Sequence, residues 1–490
     1  MINPNTPILI GAGHLQHRIN DLQDAVEPID LMLKACRLAE EDTQSRLLDK
    51  VQSVRVIRGM WTYENPARYI AEQIGAVGSQ TVGTVFGGNY NQVMVNQTAE
   101  NILVGDLDLV LIAGAEIGYS QAKARKAGTH VNMRDTPGSY DVLLGGSQQP
   151  EHHEYEIAKG IQTPIQVYPI YENAIRFHRG ESIEDHSRRV SELWSRFNDV
   201  AQDNPHAWIR KDISAEEIRT ISKSNRAVSF PYTKLMNSNN AVDMAAALIM
   251  CSVEKAKKLA IPEHLWVYPH AGVEGRDHFS ASVRDNFYSS PAIRLVGERI
   301  LNLTGSSAND LDYVDLYSCF PSAVQIAAAE LGLSESQPLT VTGGLTFGGG
   351  PVNNYVMHSI ARMVELLRAS PEKKGLITAN GGNLYKHAHG IYSGQPPEKD
   401  FQHDDVQDDI DALPARECLP EYVGDATIES YTVMYGAEGP SVAHISCLTP
   451  AGQRLWVNSE DVDLMQAMTR EEFCGRKLTI DQAQHIKRLG

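Results

Sequence analysis

An internal repeat constrains this fold more than any other feature of the sequence. Thr84-Val-Phe-Gly-Gly88 recurs 261 residues later as Leu345-Thr-Phe-Gly-Gly349. Each copy is followed by a helix-patterned segment that opens on asparagine (Asn91-Gln-Val-Met-Val, Asn354-Tyr-Val-Met-His) and then by a strand-like run, Leu107 to Gly114 and Gly375 to Gly381. Order and spacing are kept, so two similar βα halves from one duplicated unit are expected. Chance likeness of two Gly-rich turns is the alternative reading. Around the first copy, strand-length apolar runs alternate with helical periodicity: Ser53 to Ile57, a helix over Pro66 to Gly75, another over Asn91 to Val104. The run from Asp108 to Gly114 is almost continuously apolar, as in a parallel strand buried on both faces. The fold class predicted is α/β, with helices covering both sides of the sheet.

The first half is assigned to residues 1–121 and 224–269, and the second to 270–395. Between them, residues 122–223 are rich in His, Asp, Arg and aromatics and lack buried-strand runs. They read as an inserted loop domain with one helical stretch, Glu184 to Asn198. Lys399 to Asp411 carries six aspartates and is followed by Pro414 and Pro420, so 396–425 is expected to be an acidic, solvated linker. Beyond it, Tyr431–Tyr435, Ser441–Leu448 and Arg454–Asn458 read as short strands and Glu460 to Cys474 as a helix. These form a small α+β domain over 426–490, expected to fold as a separate appendage.

Composition limits the partners. With 44 Lys plus Arg against 61 Asp plus Glu, the formal charge is −17, which repels phosphate backbones and anionic lipid. Nucleic acid is therefore not an expected partner. No run approaches the ~18 apolar residues of a membrane span, and the short apolar run Pro7 to Gly11 has no basic segment before it. A cytoplasmic protein is expected. The six cysteines are scattered without a Cys-x-x-Cys pair, which suggests free thiols and no zinc site. Glu151-His-His-Glu154 reads as a solvated run, because adjacent histidines on an extended segment point apart. Neither a metal nor a cofactor is expected.

Three further segments carry a resemblance. Gly105-Asp-Leu-Asp-Leu-Val-Leu-Ile-Ala-Gly-Ala-Glu116, Asn237 to Leu248 and Gly343-Gly-Leu-Thr-Phe-Gly-Gly-Gly-Pro351 resemble, in order, the strand after the nucleophile helix, the Asn-x-x-x-x-Asp-Gly-Ala-Ala-Ala stretch and the Gly-His-Pro loop of the thiolase superfamily. The resemblance covers about Pro7 to Ser393. It implies the thiolase fold, two βα halves in αβαβα layers, with an acyl-CoA or related thioester as substrate. It leaves both a homodimer and a monomer open.

Residue by residue, the resemblance puts Gly88 at the place of the nucleophilic cysteine, Gly350 at the Gly-His-Pro histidine and Asn380 at the cysteine of Cys-x-Gly, with Gly382 retained. Tyr317-Ser-Cys-Phe320 resembles His-Asp-Cys-Phe, with Tyr317 for the histidine and Cys319 kept. A glycine cannot form an acyl-enzyme. The pattern is similar to the thiolase-like proteins of type 1, often labelled acetyl-CoA acetyltransferase, which carry an extra C-terminal domain.

The implied site comprises Cys319, Tyr317, His387 and Asn380, with Gly88, Gly350 and Gly382 as backbone oxyanion donors. Each has a plainer reading: Cys319 as a small core thiol, Tyr317 as a half-buried aromatic, the Gly-Gly turns as tight βα turns, and His387 and His389 as structural. Three functions follow: acyl transfer without the thiolase nucleophile, a carbon–carbon lyase or aldolase using Tyr317, or non-catalytic binding of CoA esters or lipids.

Overall fold

The structure is a computed structural model that describes residues 2–148 and 150–490. Two sheets dominate it. The first runs, edge to edge, Pro7–Gln16, Asp243–Ser252, Leu109–Ile117, Ser53–Val56, Gln80–Thr84 and Val142–Leu144. The second runs Tyr313–Asp315, Lys374–Gly381, Lys386–Ser393, Tyr268–Arg276 and Gln402–Asp405. Two central helices, Tyr90–Leu103 and Tyr355–Ala369, touch strands of both sheets and each other. Outer helices complete the layers. Pro28–Asp42 lies on the first sheet and Pro291–Thr304 on the second, giving the αβαβα thiolase arrangement.

Strand Leu109–Ile117 shows why its sequence is apolar throughout. Val110 and Ile112 join the core around the central helices, while Leu109, Leu111, Ala113, Ala115 and Ile117 join the core under the outer helix. Both faces are covered, so alternation disappears. The outer helix sits close because Gly13 faces it: a Cβ there would lie 2.4 Å from the Ala35 carbonyl oxygen, nearer than any real contact.

The repeat holds from its helices onward, through Tyr90–Leu103 and Leu109–Ile117 in one half and Tyr355–Ala369 and Lys374–Gly381 in the other. Ahead of the helices the copies differ. Gln80–Thr84 is a strand, whereas Gly344–Gly348 is a π-helical turn. Positive φ at Gly343 and Gly344 bends the second chain away from extended geometry, and the Thr340 and Thr342 hydroxyls accept their amide protons.

Three expectations are corrected. Residues 122–223 are not mainly loop: they carry the helices Pro164–Arg179 and Ile183–Asp203, and Val142–Leu144 extends the first sheet. Nor is 396–425 a solvated linker. Gln402–Asp405 pairs in parallel with Tyr268–Arg276, and Phe401, Val406 and Ile410 are buried beside it. The aspartates occupy the outer positions of a segment whose apolar residues face inward.

The C-terminal residues do not stand apart either. Strands Arg454–Ser459, Gly439–Leu448, Gly424–Gly436, Lys477–Ile480 and Ile486–Leu489 form a third sheet with its own apolar core, and Ala227–Ser229 joins its Gly424–Gly436 strand. Two buried arginines lock this unit to the rest. The Arg454 guanidinium donates to both Glu429 oxygens at 2.6 and 2.7 Å and to the carbonyls of Ala281, Ser282 and Arg284. Arg176, on the inserted helix, donates to both Glu472 oxygens (3.0 and 3.1 Å) and to the Tyr431 hydroxyl.

Removing one partner of a buried pair strands the other, at about 3–5 kcal/mol. Arg454→Ala is therefore expected to lower unfolding free energy by that amount in chemical denaturation, within a single cooperative transition. A loss below ~1 kcal/mol, or a separate early transition of 426–490, contradicts this docking.

Candidate active site

The loops after Gln80–Thr84, Tyr313–Asp315 and Lys374–Gly381 meet at a cavity of about 390 Å³. Gly88, Tyr317, Cys319, Asn380 and Gly382 all line it, as do Tyr168, His152, Asn237, Ser238 and Asn353. Gly88 lies two residues ahead of the first central helix and Cys319 two ahead of helix Pro321–Glu330, so two helix starts face one space.

At Gly88 the packing decides the chemistry. A Cβ there would fall 2.7 Å from the Tyr317 hydroxyl and 2.6 Å from the Asn380 carbonyl oxygen. The position is closed to any side chain, and the Tyr317 phenol fills the volume that one would occupy. Burial pushes this phenol's pKa far up, so it is a hydrogen-bond donor and acid, not a phenolate.

Cys319 is 8% exposed. A helix start favours a thiolate, yet desolvation outweighs it: burial pushes the thiol up to about 12 despite hydrogen bonding from Tyr168 and Asn380. The Asn380 Nδ2 lies 3.0 Å from the Tyr168 hydroxyl and 3.9 Å from the Cys319 sulfur. Its Oδ1 is buried with no partner among the described residues. Tyr168 stacks on Phe320 at 4.4 Å and donates to the Gly382 carbonyl.

Two expected participants lie elsewhere. The Gly350 amide is occupied by the Asn239 carbonyl at 3.0 Å, with Asn239 and Asn240 packed over the residue, so it is not a free oxyanion donor. His387 lies in strand Lys386–Ser393, outside the cavity lining, with its Nε2 3.3 Å from the Leu384 carbonyl and 3.8 Å from Asp277. Burial disfavours the Asp277 charge, yet Arg284, His387 and Ser290 hold its carboxyl at about 2. His389 is also outside the lining, and burial holds its ring neutral by pulling its pKa down to about 3.

Three wall residues escape a reading of the sequence. Glu151 and His152 belong to the run expected to be solvated, but Asn383 ties them down, its Nδ2 3.2 Å from the Glu151 carbonyl and 3.3 Å from His152 Nδ1. Glu156 lies 3.5 Å from the same ring nitrogen. Burial acts to raise its carboxyl, but His152, Ser282 and Ser280 lower it below the usual range. Tyr168 comes from the inserted helix. No motif marks it, and only the aromatic richness of 122–223 hinted at it.

Comparison with known proteins fits this geometry. Residues 405–485 match the family described as the thiolase-like protein type 1 additional C-terminal domain. A monomeric SCP2-thiolase like protein type 1 from Mycobacterium smegmatis is similar over 98% of both chains, at 30% identity and a TM-score of 0.85. An Ltp2-ChsH2(DUF35) aldolase shares the fold over 80% of this chain and 98% of its own, at 19% identity and a TM-score of 0.59. An acetyl-CoA acetyltransferase of Methanocaldococcus jannaschii is 24% identical over 239 residues, 49% of this chain. The match spans about half (53%) of that relative's length. No helix among the described residues is long and apolar enough to cross a membrane.

Two outcomes are expected. All six cysteines are buried, so the native protein should show no fast thiol towards a disulfide reagent at pH 8. Cys319 should react on the order of 10³-fold more slowly than a free cysteine of pKa ~8.5. Gly88→Cys should fail to restore acetoacetyl-CoA thiolysis, because the new Cβ collides with the Asn380 backbone. A fast native thiol, or a thiolytic Gly88→Cys variant, contradicts the packing described.

Proposed function

The chain belongs to the SCP2-thiolase-like proteins of type 1, and on that premise we propose that it binds an acyl-CoA or related thioester in the Gly88–Tyr317–Cys319 cavity. There it makes or breaks a carbon–carbon bond beside the thioester carbonyl without an acyl-enzyme. The observation that carries this reading is the Tyr317 hydroxyl lying where a nucleophile on residue 88 would stand. A neutral phenol there suits proton donation to an enolate.

In the cleavage direction, the Cα–Cβ bond of a β-hydroxyacyl thioester breaks. The hydroxyl proton passes to Nε2 of His152, whose Nδ1 faces Glu156 at 3.5 Å, and Cβ leaves as a carbonyl carbon. The electron pair moves into the thioester enolate, whose oxygen faces the backbone amides of Gly88 and Gly382, and Cα takes the proton of Tyr317. Asn380 orients the Tyr168 hydroxyl and offers its unpartnered Oδ1 to the substrate.

Acyl transfer through Cys319, lipid metabolism and non-catalytic CoA-ester binding are the competing readings. Retention of Cys319 at the cavity favours the first, but its thiol, pushed up to about 12, supplies little thiolate at neutral pH. A single chain is the proposed working unit: the Mycobacterium relative is described as monomeric, and Val142–Leu144 covers the Gln80–Thr84 edge of the first sheet.

The test is turnover of a panel of β-hydroxyacyl- and acyl-CoA substrates, followed by mass spectrometry. Tyr317→Phe should lower turnover by about 10²–10⁴-fold, the range for a lost acid–base group, while Cys319→Ala stays within about threefold of wild type. Collapse of Cys319→Ala together with an acylated wild-type protein favours acyl transfer. Thioester bound without turnover favours the binding protein.

A further inference from the structure

Away from the cavity, four polar side chains from three distant parts of the sequence form one partly buried cluster. His14 comes from the first strand, His206 from the end of the insertion, and His358 and Glu365 from the second central helix. The Nε2 atoms of His14 and His206 converge on the same Glu365 oxygen at 2.8 and 3.2 Å. The donor atoms of these three residues all lie within 4.8 Å of one another. His358 packs beside them, its ring centroid 5.8 Å from that of His14.

This arrangement is poorly satisfied as it stands. His14 Nδ1 and both ring nitrogens of His358 are buried without a partner among the described residues. Three ring nitrogens of this cluster thus lack the hydrogen bond that burial demands. Imidazole nitrogens and a carboxylate oxygen are the ligand groups of a divalent first-row metal.

We propose that His14, His206 and Glu365 form a binding site for a divalent transition-metal ion of the zinc type. Separations of 2.8 and 3.2 Å approach the edge of a tetrahedron with bonds of ~2.0 Å, about 3.3 Å, and the two histidine nitrogens lie within 4.8 Å of each other. The His14 and His206 rings now stack at 3.6 Å. Convergence on an ion needs the His206 ring to swing off that stack, which its 30% exposure permits. Arg362 holds the other Glu365 oxygen at 2.6 Å and leaves Oε1 for the metal.

The site ties the insertion to both halves. The residues after His206 are already anchored to the glycine loop, the Trp208 and Ile209 amides donating to the Gly348 and Phe347 carbonyls. A bound ion should therefore stabilise the native chain by mass action.

The experiment uses the full-length protein, stripped by chelator and titrated with Co²⁺ and Zn²⁺ against a chromophoric competitor. Expected are a single tight equivalent, a visible Co²⁺ absorption band and a rise in melting temperature with Zn²⁺. His206→Ala and Glu365→Gln should each weaken binding more than 100-fold and abolish the band, while His130→Ala, at an exposed position, changes neither. Circular dichroism verifies folding. Because His206 is partly exposed, its truncation opens no core cavity, and it decides the matter if Glu365→Gln does not fold. Absence of a stoichiometric site in wild type, or affinity kept within threefold in folded His206→Ala, overturns the proposal.

Discussion

Two helices, Tyr90–Leu103 and Tyr355–Ala369, must be covered by apolar surface on opposite sides at once, and most of the molecule follows from that demand. Each buries residues such as Val93, Met94 and Val95, or Val356, Met357 and Ile360, between the two sheets. A sheet that covers such helices on one face needs outer helices on its other face. Adjacency of the two central helices also brings the Gly-Gly turns before their first turns into one neighbourhood, and the strands beside them, Tyr313–Asp315 and Lys374–Gly381, lead to Tyr317 and Asn380 next to Gly88.

That constraint explains what was readable beforehand. The repeat and the doubly buried run Leu109–Ile117 are local patterns, and they marked the layers. Cys319, Tyr317, Asn380, Gly88 and Gly382 were marked by motif resemblance, and they meet at one cavity. His387 and Gly350 failed for reasons invisible in one dimension: a strand face turned towards Asp277, and an amide already spent on Asn239. The segment 400–411 misled because its aspartates outnumber its apolar residues, although Phe401, Val406 and Ile410 suffice to seat it. Tyr168, His152 and the His14–His206–Glu365 group lie on no motif, since each depends on chain segments that meet only after folding.

The cavity keeps the architecture of thioester chemistry with a different set of side chains. Filling of the residue-88 volume by the Tyr317 phenol couples two substitutions that look independent in the sequence. A side chain at 88 is sterically incompatible with this tyrosine, and burial denies Cys319 the ionisation that would let it act as nucleophile. What remains is a pocket of neutral donors and acceptors around Asn380.

The inserted helix Pro164–Arg179 supplies a cavity wall through Pro164, Ile165 and Tyr168, yet its far end is held by residues far later in the sequence. Asn173 donates to the Tyr431 carbonyl, the Ser430 hydroxyl to that of Ile170, and Arg176 meets Glu472. During synthesis, a chain emerging from the ribosome holds an unfinished pocket until Ser430, Tyr431 and Glu472 have emerged. Contacts spanning some 260–300 residues also carry a high closure cost, so formation of the wall falls late in folding. The strands around Tyr431 and Glu472 thus act as a completion signal, because the cavity wall is fixed only once they have docked.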